Sequence, residues 1–542
     1  MKKLVSRFMA VLMAMTMILS MSMTAFAAEA STGTLTVNNT VAGKTLDLYQ
    51  IFTATKNGDK VAYTLNSAYE GFFKTKEVNG SPLSGLSGEA LSEAAYNYVK
   101  EQVGDDGSKG ATFAKDILGW ILSASGETKT AVEATHRTAN TADTKTVIDN
   151  LEYGYYVVYP LGATDTSTAP GNGPVKSVAS LVSVTGNDAT VNMKSNYPTV
   201  VKKVNDKIAD DVNIGDTVTY TLTSKVPDMT GYTSYVFNFK DTLSAGLTFK
   251  EITSVTVESG ENVQNVIAGT GDNTYTLTQD GQNITITMNN FLASNANKAG
   301  QEIKVTYTAT LNKDAVTGFD ANKNSATVEY SNKPGTDNKG ESEPSIVDVH
   351  TFNFTIFKYY LKDQNNKDDK TGLENAEFEL YKANSEVAGD KVNIKKVTDG
   401  EYRVATPEEA AEEGFKSDII VSGTNGKVLV KGLDAGTYYL RETKAPEGYN
   451  KLLSDIEVKI TATYTDGKLE SYKVDYKYNG NTTTGSDIKN TTDSPEVAVE
   501  NKTGAQLPST GSKGALMVTL AGIVLFGALT ASKAFGKKKA NN

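Results

Sequence analysis

The chain has 542 residues, a formal net charge of −10 and no cysteine. Its length predicts three or four domains rather than one core. The acidic balance argues against a nucleic-acid partner, and the absence of cysteine excludes disulfides, so covalent stabilisation would need another chemistry. Two histidines, His136 and His350, are too few for a histidine-based metal site or hydrolytic triad, and both are predicted to be ordinary exposed or linker residues.

The N-terminus predicts a cleaved signal peptide over residues 1–27. A basic start is followed by an apolar run and by "AFA" immediately before Ala28. Small residues at this spacing favour cleavage after Ala27 over a retained membrane anchor.

Residues 28–197 are predicted to be a first, mainly β domain with one helical segment. The stretch "GTLTVNNTVAGKTLDLYQIFTAT" alternates like a strand pair, and "LEYGYYVVYPLG" returns to strand. Between them, "SGEALSEAAYNYVKEQV" predicts a helix with Leu91, Ala95, Tyr98 and Val99 on its buried face and with Ser87 or Ser92 as the cap.

Two further modules have the period-two patterns of β-sandwiches, for example "DTVTYTLTSKV" and "QNITITMNN". The predicted fold is mainly β, with tandem immunoglobulin-like sandwich domains in an elongated array. The predicted domain ranges are 1–27 (signal peptide), 28–197, 198–348, 349–503 and 504–542 (sorting signal, membrane segment and basic tail).

The C-terminus combines "LPSTG" with an apolar run, Ala515 to Phe535, and a basic tail. The run is long enough to cross a bilayer at about 20 residues. Pro508 makes the pentapeptide extended, which leaves the Thr510–Gly511 bond accessible. A plain stop-transfer anchor is the alternative, but it does not explain the pentapeptide.

The last module places three reactive side chains in apolar strands: Lys358 in "FTIFKYY", Glu442 in "YYLRETK" and Asn501 in "VAVENK". A buried lysine tends to lose its proton and a buried carboxyl to keep one. The amine of Lys358 could then attack the carboxamide of Asn501, with Glu442 shuttling protons. An ordinary buried ion pair is the alternative reading, and Asn490 is the competing partner.

These motifs resemble a known family. "FNFTIFKYY", "YYLRETKAPEGY" and "VENKTGAQLPSTG" resemble the Cna-B-type domain that ends SpaA-like backbone pilins of Gram-positive bacteria. "PTVVKKV", "FKDTLSAGLTF" and "NSATVEYSN" resemble the isopeptide-forming (Cna-type) domain of the same pilins. The pentapeptide Leu507, Pro508, Ser509, Thr510 and Gly511 resembles their sortase signal.

The resemblance implies a second cross-link, in the middle module. Lys202 would be the nucleophile, Asn324 the electrophile and Asp241 the proton-shuttling acid. Lys203 is the alternative nucleophile, because neighbouring strand residues face opposite sides, and Asp241 could instead be a turn or cap residue. Cross-links between first and last strands would close loops of about 120–140 residues, stabilise each module by about 5 kcal/mol, and prevent extension under load.

The function that the resemblance implies is structural: a pilus shaft subunit covalently attached to the cell wall. A pilus-specific sortase would join Thr510 head-to-tail to a lysine of the next identical subunit, and a housekeeping sortase would link the fibre to peptidoglycan. Minor pilins and a host surface ligand are the other partners, with no cofactor, metal or nucleic acid. The only chemistry of its own would be single-turnover bond formation.

The acceptor lysine is the point where the sequence departs from that family. The family's "YPK" motif is absent, since Leu161 follows Pro160 and Thr199 follows Pro198. Lys194 is the preferred substitute and Lys176 a weaker one. The alternative function is a monomeric wall-anchored adhesin or a minor pilin. No calcium-site spacing and no catalytic motif of a surface enzyme stands out.

Overall fold

The computed structural model describes residues 32–104, 110–123, 132–164, 178–193 and 196–503. Several predictions fall outside these residues: the signal peptide with its cleavage after Ala27, the acceptor candidates Lys176 and Lys194, and the sorting signal with its membrane segment. Among the helices of the described part, none is both long enough and apolar enough to cross a membrane.

In its described residues, the N-terminal module combines two larger sheets and a two-stranded hairpin with three helices. Its strands are β1 Thr32–Thr40, β2 Leu46–Asn57, β3 Lys60–Leu65, β4 Glu77–Val78, β5 Ser81–Pro82, β6 His136–Thr138, β7 Thr144–Glu152, β8 Gly154–Pro160, β9 Ser180–Val184 and β10 Ala189–Asn192. Its helices are α1 Glu70–Phe73, α2 Gly88–Val103 and α3 Gly110–Leu122, with a 3₁₀ turn at Ser67–Tyr69. One sheet has the order β10–β1–β7, the other β3–β2–β8–β9 with β6 beside β2, and β4 pairs with β5.

Strands β2 and β8 are buried on both faces. Leu48 and Val158 face the β10–β1–β7 sheet, whereas Ile51 and Val157 face the helices. A strand covered on both sides needs an almost continuous apolar run, and "GYYVVYP" of β8, buried at every position, provides one.

Helix α2 packs as predicted and buries one further residue. It buries Leu91, Ala95 and Val99 together with Tyr96, which stacks on a tyrosine of β3, while Tyr98 is half-buried. Ser87 occupies the N-cap position without a side-chain cap bond. The backbone N–H of β3's last residue donates to the Ser92 hydroxyl at 2.8 Å, so Ser92 ties the helix to the sheet instead of capping it.

The middle module is a sandwich of two sheets. Its strands are β11 Val201–Val204, β12 Ala209–Asp211, β13 Thr217–Lys225, β14 Phe237–Leu243, β15 Leu247–Ser259, β16 Asn262–Asn265, β17 Ile267–Ala268, β18 Thr274–Asp280, β19 Asn283–Met288, β20 Glu302–Leu311, β21 Asn322–Ser331, β22 Lys339–Glu341 and β23 Ser345–His350, with helix α4 Phe291–Asn295. The first sheet has the order β11–β13–β20–β15–β16. The second has the order β12–β23–β21–β14–β19–β18–β17, with β22 beside β21.

The C-terminal module is a second sandwich. Its strands are β24 Phe352–Leu361, β25 Lys370–Gly372, β26 Glu377–Asn384, β27 Val387–Lys391, β28 Ile394–Thr398, β29 Glu401–Val404, β30 Ile420–Val421, β31 Lys427–Leu433, β32 Gly436–Lys444, β33 Ile456–Thr465, β34 Lys468–Tyr478, β35 Asn481–Thr483 and β36 Glu496–Glu500, with helix α5 Pro407–Ala410. One sheet has the order β25–β24–β31–β29–β28, with β36 beside β24. The other has the order β27–β26–β32–β33–β34–β35, with β30 beside β26. The prediction of a mainly β, tandem-sandwich fold is confirmed.

His350 is not the exposed or linker residue that the sequence predicted. It ends β23 with its side chain buried, its ring stacked on Phe352 and edge-on to Tyr464. The prediction failed because β23 leads into β24 across Thr351 alone, so no linker separates the two strands. Burial lowers the pKa of His350 below its ordinary value. His136, by contrast, is half-buried and bonds the Thr138 hydroxyl at 3.1 Å.

Candidate functional site

Strand alternation places a lysine inside each sandwich. On β11 the side chains of Lys202 and Val204 point inward and that of Lys203 outward. On β24 every second residue is buried, and Lys358 takes the inward position that follows Ile356. Because side chains alternate strictly along a strand, this register alone selects Lys202 over its neighbour.

The middle-module cluster joins both sheets across the core. Lys202 on β11 and Tyr307 on β20 come from one sheet, and Asp241 on β14 and Asn324 on β21 come from the other. The Nζ of Lys202 forms a close ion pair with Asp241 and donates to the Tyr307 hydroxyl at 2.7 Å. Asp241 lies within a strand and is buried, so it is neither a turn nor a cap residue.

Asn324 is fully buried beside this pair. Its amide nitrogen Nδ2 donates to the Tyr307 hydroxyl at 2.7 Å. Its carbonyl oxygen Oδ1 has no hydrogen-bond partner among the described residues, and neither has Oδ1 of Asp241. Burying a polar atom without a hydrogen-bond partner costs free energy of folding. A purely structural role of the cluster therefore does not explain these two oxygens well.

Burial sets the electrostatics of this cluster. Desolvation lowers the pKa of Lys202 to about 8, although the attraction of Asp241 opposes the shift. Desolvation also raises the pKa of Asp241. The ammonium nitrogen lies 4.9 Å from the ring centroid of Tyr220 and 5.1 Å from that of Tyr307. Both shifts move the pair towards its neutral form, an amine beside a carboxylic acid.

The C-terminal cluster has the same chemical groups in a different arrangement. The Nζ of Lys358 lies 3.0 Å from Oε1 of Glu442 on β32, and both side chains are fully buried. The other oxygen, Oε2, accepts from the backbone N–H of Leu452 at 2.7 Å and from Nδ2 of Asn501 at 3.4 Å. Nδ2 of Asn501 also donates to the carbonyl oxygen of Asn450 at 2.7 Å. Burial lowers the pKa of Lys358 to about 8.

Parallel pairing of β24 and β36 brings Asn501 to this lysine. Lys358 lies opposite Val499 in the register, and the backbone N–H of Asn501 donates to the carbonyl of Tyr359 at 2.9 Å. Asn501 is buried, and its Oδ1 has no partner within the part of the chain that is described. Asn490, the competing candidate, is exposed and bonds the side chain of Asp493 at 2.9 Å. The structure thus brings Asn501, and not Asn490, to Lys358 and Glu442.

Asn324 does not lie on the last strand of the middle module, although the cross-link was expected to join the first and last strands of each module. The expectation fits the C-terminal module, where Lys358 is on the first strand and Asn501 directly follows the last. In the middle module Asn324 is on β21, and β22 and β23 follow it. A bond between Lys202 and Asn324 would therefore leave those two strands outside the covalent loop.

Sequence reasoning missed the residues that position the asparagines. Tyr307 bridges three side chains of the middle cluster, and the backbone of Asn450 and Leu452 holds the C-terminal one. The sequence signal for Tyr307 is only an inward tyrosine in "VTYTATL", opposite another inward tyrosine, Tyr220, in the register. Backbone contacts have no sequence signal at all. Among the described residues, no three acidic, histidine or cysteine side chains are grouped to hold a metal ion.

The lowered pKa of Lys202 predicts a pH dependence of stability in a variant that cannot form the bond. In Asn324→Ala, the unfolded chain holds the lysine proton up to about pH 10.5 and the folded chain only up to about pH 8. Because the unfolded state binds more protons between these values, the free energy of unfolding should rise with pH across that window. Urea unfolding of Asn324→Ala from pH 8 to 10.5 measures the slope. Adding Lys202→Met should reduce it, and an equal slope in both variants would contradict the assignment.

Two parts of the chain match known domain families. Residues 214–334 match the family described as Gram-positive pilin backbone subunit 2, Cna-B-like domain. Residues 361–475 match the family described as SpaA, prealbumin-like fold domain. The chain thus carries one domain that matches a pilin backbone family and one that matches the SpaA family. The pilin backbone domain contains Asp241, Tyr307 and Asn324, and the SpaA domain contains Glu442. Lys202, Lys358 and Asn501 lie just outside the matched residues.

Relatives that match half to three-fifths of the chain are a surface protein and a fimbrial protein. The trypsin-resistant surface T6 protein of Streptococcus pyogenes serotype M6 is 27% identical over 303 residues, which are 51% of this chain and 48% of that protein. Fimbrial subunit type 2 of Actinomyces naeslundii is 26% identical over 351 residues, 62% of this chain and 60% of that protein. The chain thus spans about half to three-fifths of the length of these curated relatives.

Among solved structures, the T6 backbone pilin of serotype M6 Streptococcus pyogenes superposes with a TM-score of 0.45 at 17% identity. The superposition covers 88% of this chain and 100% of that one.

Proposed function

We propose that this protein is the structural backbone subunit of a sortase-assembled pilus on a Gram-positive cell surface. The observation that carries the proposal is the buried lysine–carboxyl–asparagine cluster found in each of two consecutive pilin-family sandwiches. The relatives named as a fimbrial subunit and as a surface protein favour a shaft subunit over an isolated adhesin.

Each cluster would form one intramolecular isopeptide bond. In the C-terminal module the proton of Lys358 passes to Glu442, and the neutral amine attacks Cγ of Asn501. As the C–N bond to the amide nitrogen breaks, that nitrogen takes the proton of the carboxyl group and leaves as ammonia, and the carboxylate takes the surplus proton of the attacking lysine nitrogen. In the middle module Lys202, Asp241 and Asn324 would take the same roles. The folded sandwich supplies proximity, which can contribute about 7–11 kcal/mol to lowering the barrier.

The assembly step would use the two ends of the subunit. A pilus-specific sortase cleaves between Thr510 and Gly511 and transfers the threonine to a lysine of the next copy, for which Lys194 is our proposal. A housekeeping sortase transfers the last subunit to peptidoglycan. Minor pilins and a host surface ligand complete the proposed partners, and the protein itself is a substrate, not an enzyme with turnover.

A reconstituted polymerisation reaction tests this proposal. The full secreted chain is incubated with its pilus-specific sortase, and the ladder of covalent multimers is followed on denaturing gels. Lys194→Arg should abolish the ladder, because arginine keeps the charge but is not nucleophilic. Lys176→Arg is the matched control and should leave it intact. A ladder that survives Lys194→Arg would remove Lys194 as the acceptor, and no ladder from the unmodified chain would favour a monomeric wall protein.

A further inference from the structure

The hydroxyl of Tyr307 contacts all three side chains of the proposed middle-module reaction. It accepts from Nζ of Lys202 and from Nδ2 of Asn324, both at 2.7 Å, and it donates to Oδ2 of Asp241 at 2.8 Å. A phenol has one proton to donate and can accept from two donors, so these three contacts use its full capacity. Tyr307 therefore connects the three side chains by hydrogen bonds, in addition to packing in the core.

Among the residues that the structure describes, the C-terminal cluster has no counterpart to this hydroxyl. There, Nδ2 of Asn501 lies 3.4 Å from Oε2 of Glu442 itself. In the middle cluster, the hydrogen-bond partner of Nδ2 of Asn324 is Tyr307 and not Asp241. Aspartate is one methylene shorter than glutamate, and the phenol occupies the position between the shorter acid and the amide.

We propose that Tyr307 is a catalytic residue of the middle module, which relays the proton from Asp241 to the ammonia that leaves Asn324. This inference rests on the proposed function, because it concerns the bond between Lys202 and Asn324. The second sandwich needs no relay, since its longer acid reaches the amide directly.

The proposed step balances in atoms and charge. Attack of the Lys202 amine on Cγ of Asn324 leaves the attacking nitrogen with one surplus proton. As the C–N bond to Nδ2 breaks, the phenol gives its proton to that nitrogen and takes one from the carboxylic acid of Asp241, and the resulting carboxylate takes the surplus proton from the attacking nitrogen. The products are the amide, ammonia, and tyrosine and aspartic acid in their starting states. Burial raises the pKa of Tyr307 well above 10, so the two transfers must occur together without a free phenolate.

Tyr307→Phe tests the relay, because it removes the hydroxyl and keeps the ring. The secreted chain is purified in the cold and then incubated, and intact mass and peptide mapping follow each cross-link over time. The Lys202–Asn324 bond should form about 100-fold more slowly, the scale of a lost acid–base group. The Lys358–Asn501 bond of the same molecules should form at the parental rate and is an internal control. Tyr330→Phe, the same change in the same core on β21, is the matched control and should leave both rates unchanged.

Two further variants separate a relay from a folding effect. Asp241→Glu combined with Tyr307→Phe copies the acid of the C-terminal cluster and should restore much of the lost rate. A ring-fluorinated tyrosine at position 307 keeps shape and contacts while it lowers the phenol pKa, so it should change the rate without changing the fold. An unchanged rate in both Tyr307→Phe and the fluorinated chain would overturn the relay. If the parent itself forms no Lys202–Asn324 bond, the proposed function of that module fails instead.

Discussion

Glu442→Ala is expected to leave the C-terminal module uncross-linked and markedly less stable. The variant loses the only acid that contacts both Lys358 and Asn501 among the described residues, so no group accepts the surplus proton of the attacking amine or gives a proton to the ammonia that leaves. An open loop of about 140 residues forfeits about 5 kcal/mol by loop entropy, which is a fall of about 10–20 °C in the melting temperature of a module of this size. Differential scanning calorimetry and intact mass measure the two effects together.

Two controls isolate the bond from the side chain. Asn501→Ala removes the electrophile but keeps Glu442 with its 2.7 Å bond to the backbone N–H of Leu452, so it should lose stability to a similar extent. Glu377→Ala removes a surface glutamate that pairs with Lys444, and it should change neither the mass deficit nor the melting temperature noticeably. A module of Glu442→Ala that still loses ammonia would remove Glu442 from its role.

Under force, the parent chain should release far less length than its residue count allows. The Lys358–Asn501 bond would hide about 140 residues, a contour of about 500 Å at full extension. Optical tweezers attached at the two ends of the secreted chain should find no release of that length in the parent and a full release in Glu442→Ala. The N-terminal module, for which no cross-link is predicted, extends in both chains and calibrates the measurement.

The middle module should behave differently, because of where Asn324 lies. Residues 325–357 connect the two cross-links and remain in the path of the load. They would be held by strand pairing of β21, β22, β23 and the first part of β24 and by packing, so a release of up to about 110 Å is expected even in the parent. A parent chain that releases the whole length between Lys202 and Asn324 would contradict the cross-link.

The sequence predicts the two buried lysines well, because strand periodicity is a local property. In "FNFTIFKYY", every second residue before Lys358 is apolar, so alternation predicts that the side chain of Lys358 also points inward. In β24 it does. Alternation on β11 predicts that only one of Lys202 and Lys203 is buried, and the structure shows that it is Lys202. Predictions that depend on one strand at a time therefore agree with the structure.

Features that depend on contacts between distant strands could not be predicted in this way. Tyr307 is 105 residues from Lys202 and 66 from Asp241, and nothing in "VTYTATL" indicates that its hydroxyl meets both. The burial of His350 depends on Tyr464 on another strand and on the direct passage from β23 to β24. The buried face of α2 also includes Tyr96, which the sequence pattern did not single out, because Tyr96 has a stacking partner on β3.

Intact mass of the secreted chain from Ala28 to Thr503 tests the central claim most directly. Each proposed bond releases one ammonia, so the measured mass should be about 34 Da below the sequence mass, with about 17 Da for each condensation. Peptide mapping should assign one cross-link to Lys202–Asn324 and the other to Lys358–Asn501. An unshifted mass, with both lysines recovered in linear peptides, would mean that the two clusters are ordinary buried ion pairs, and it would contradict the self-cross-linked pilus shaft.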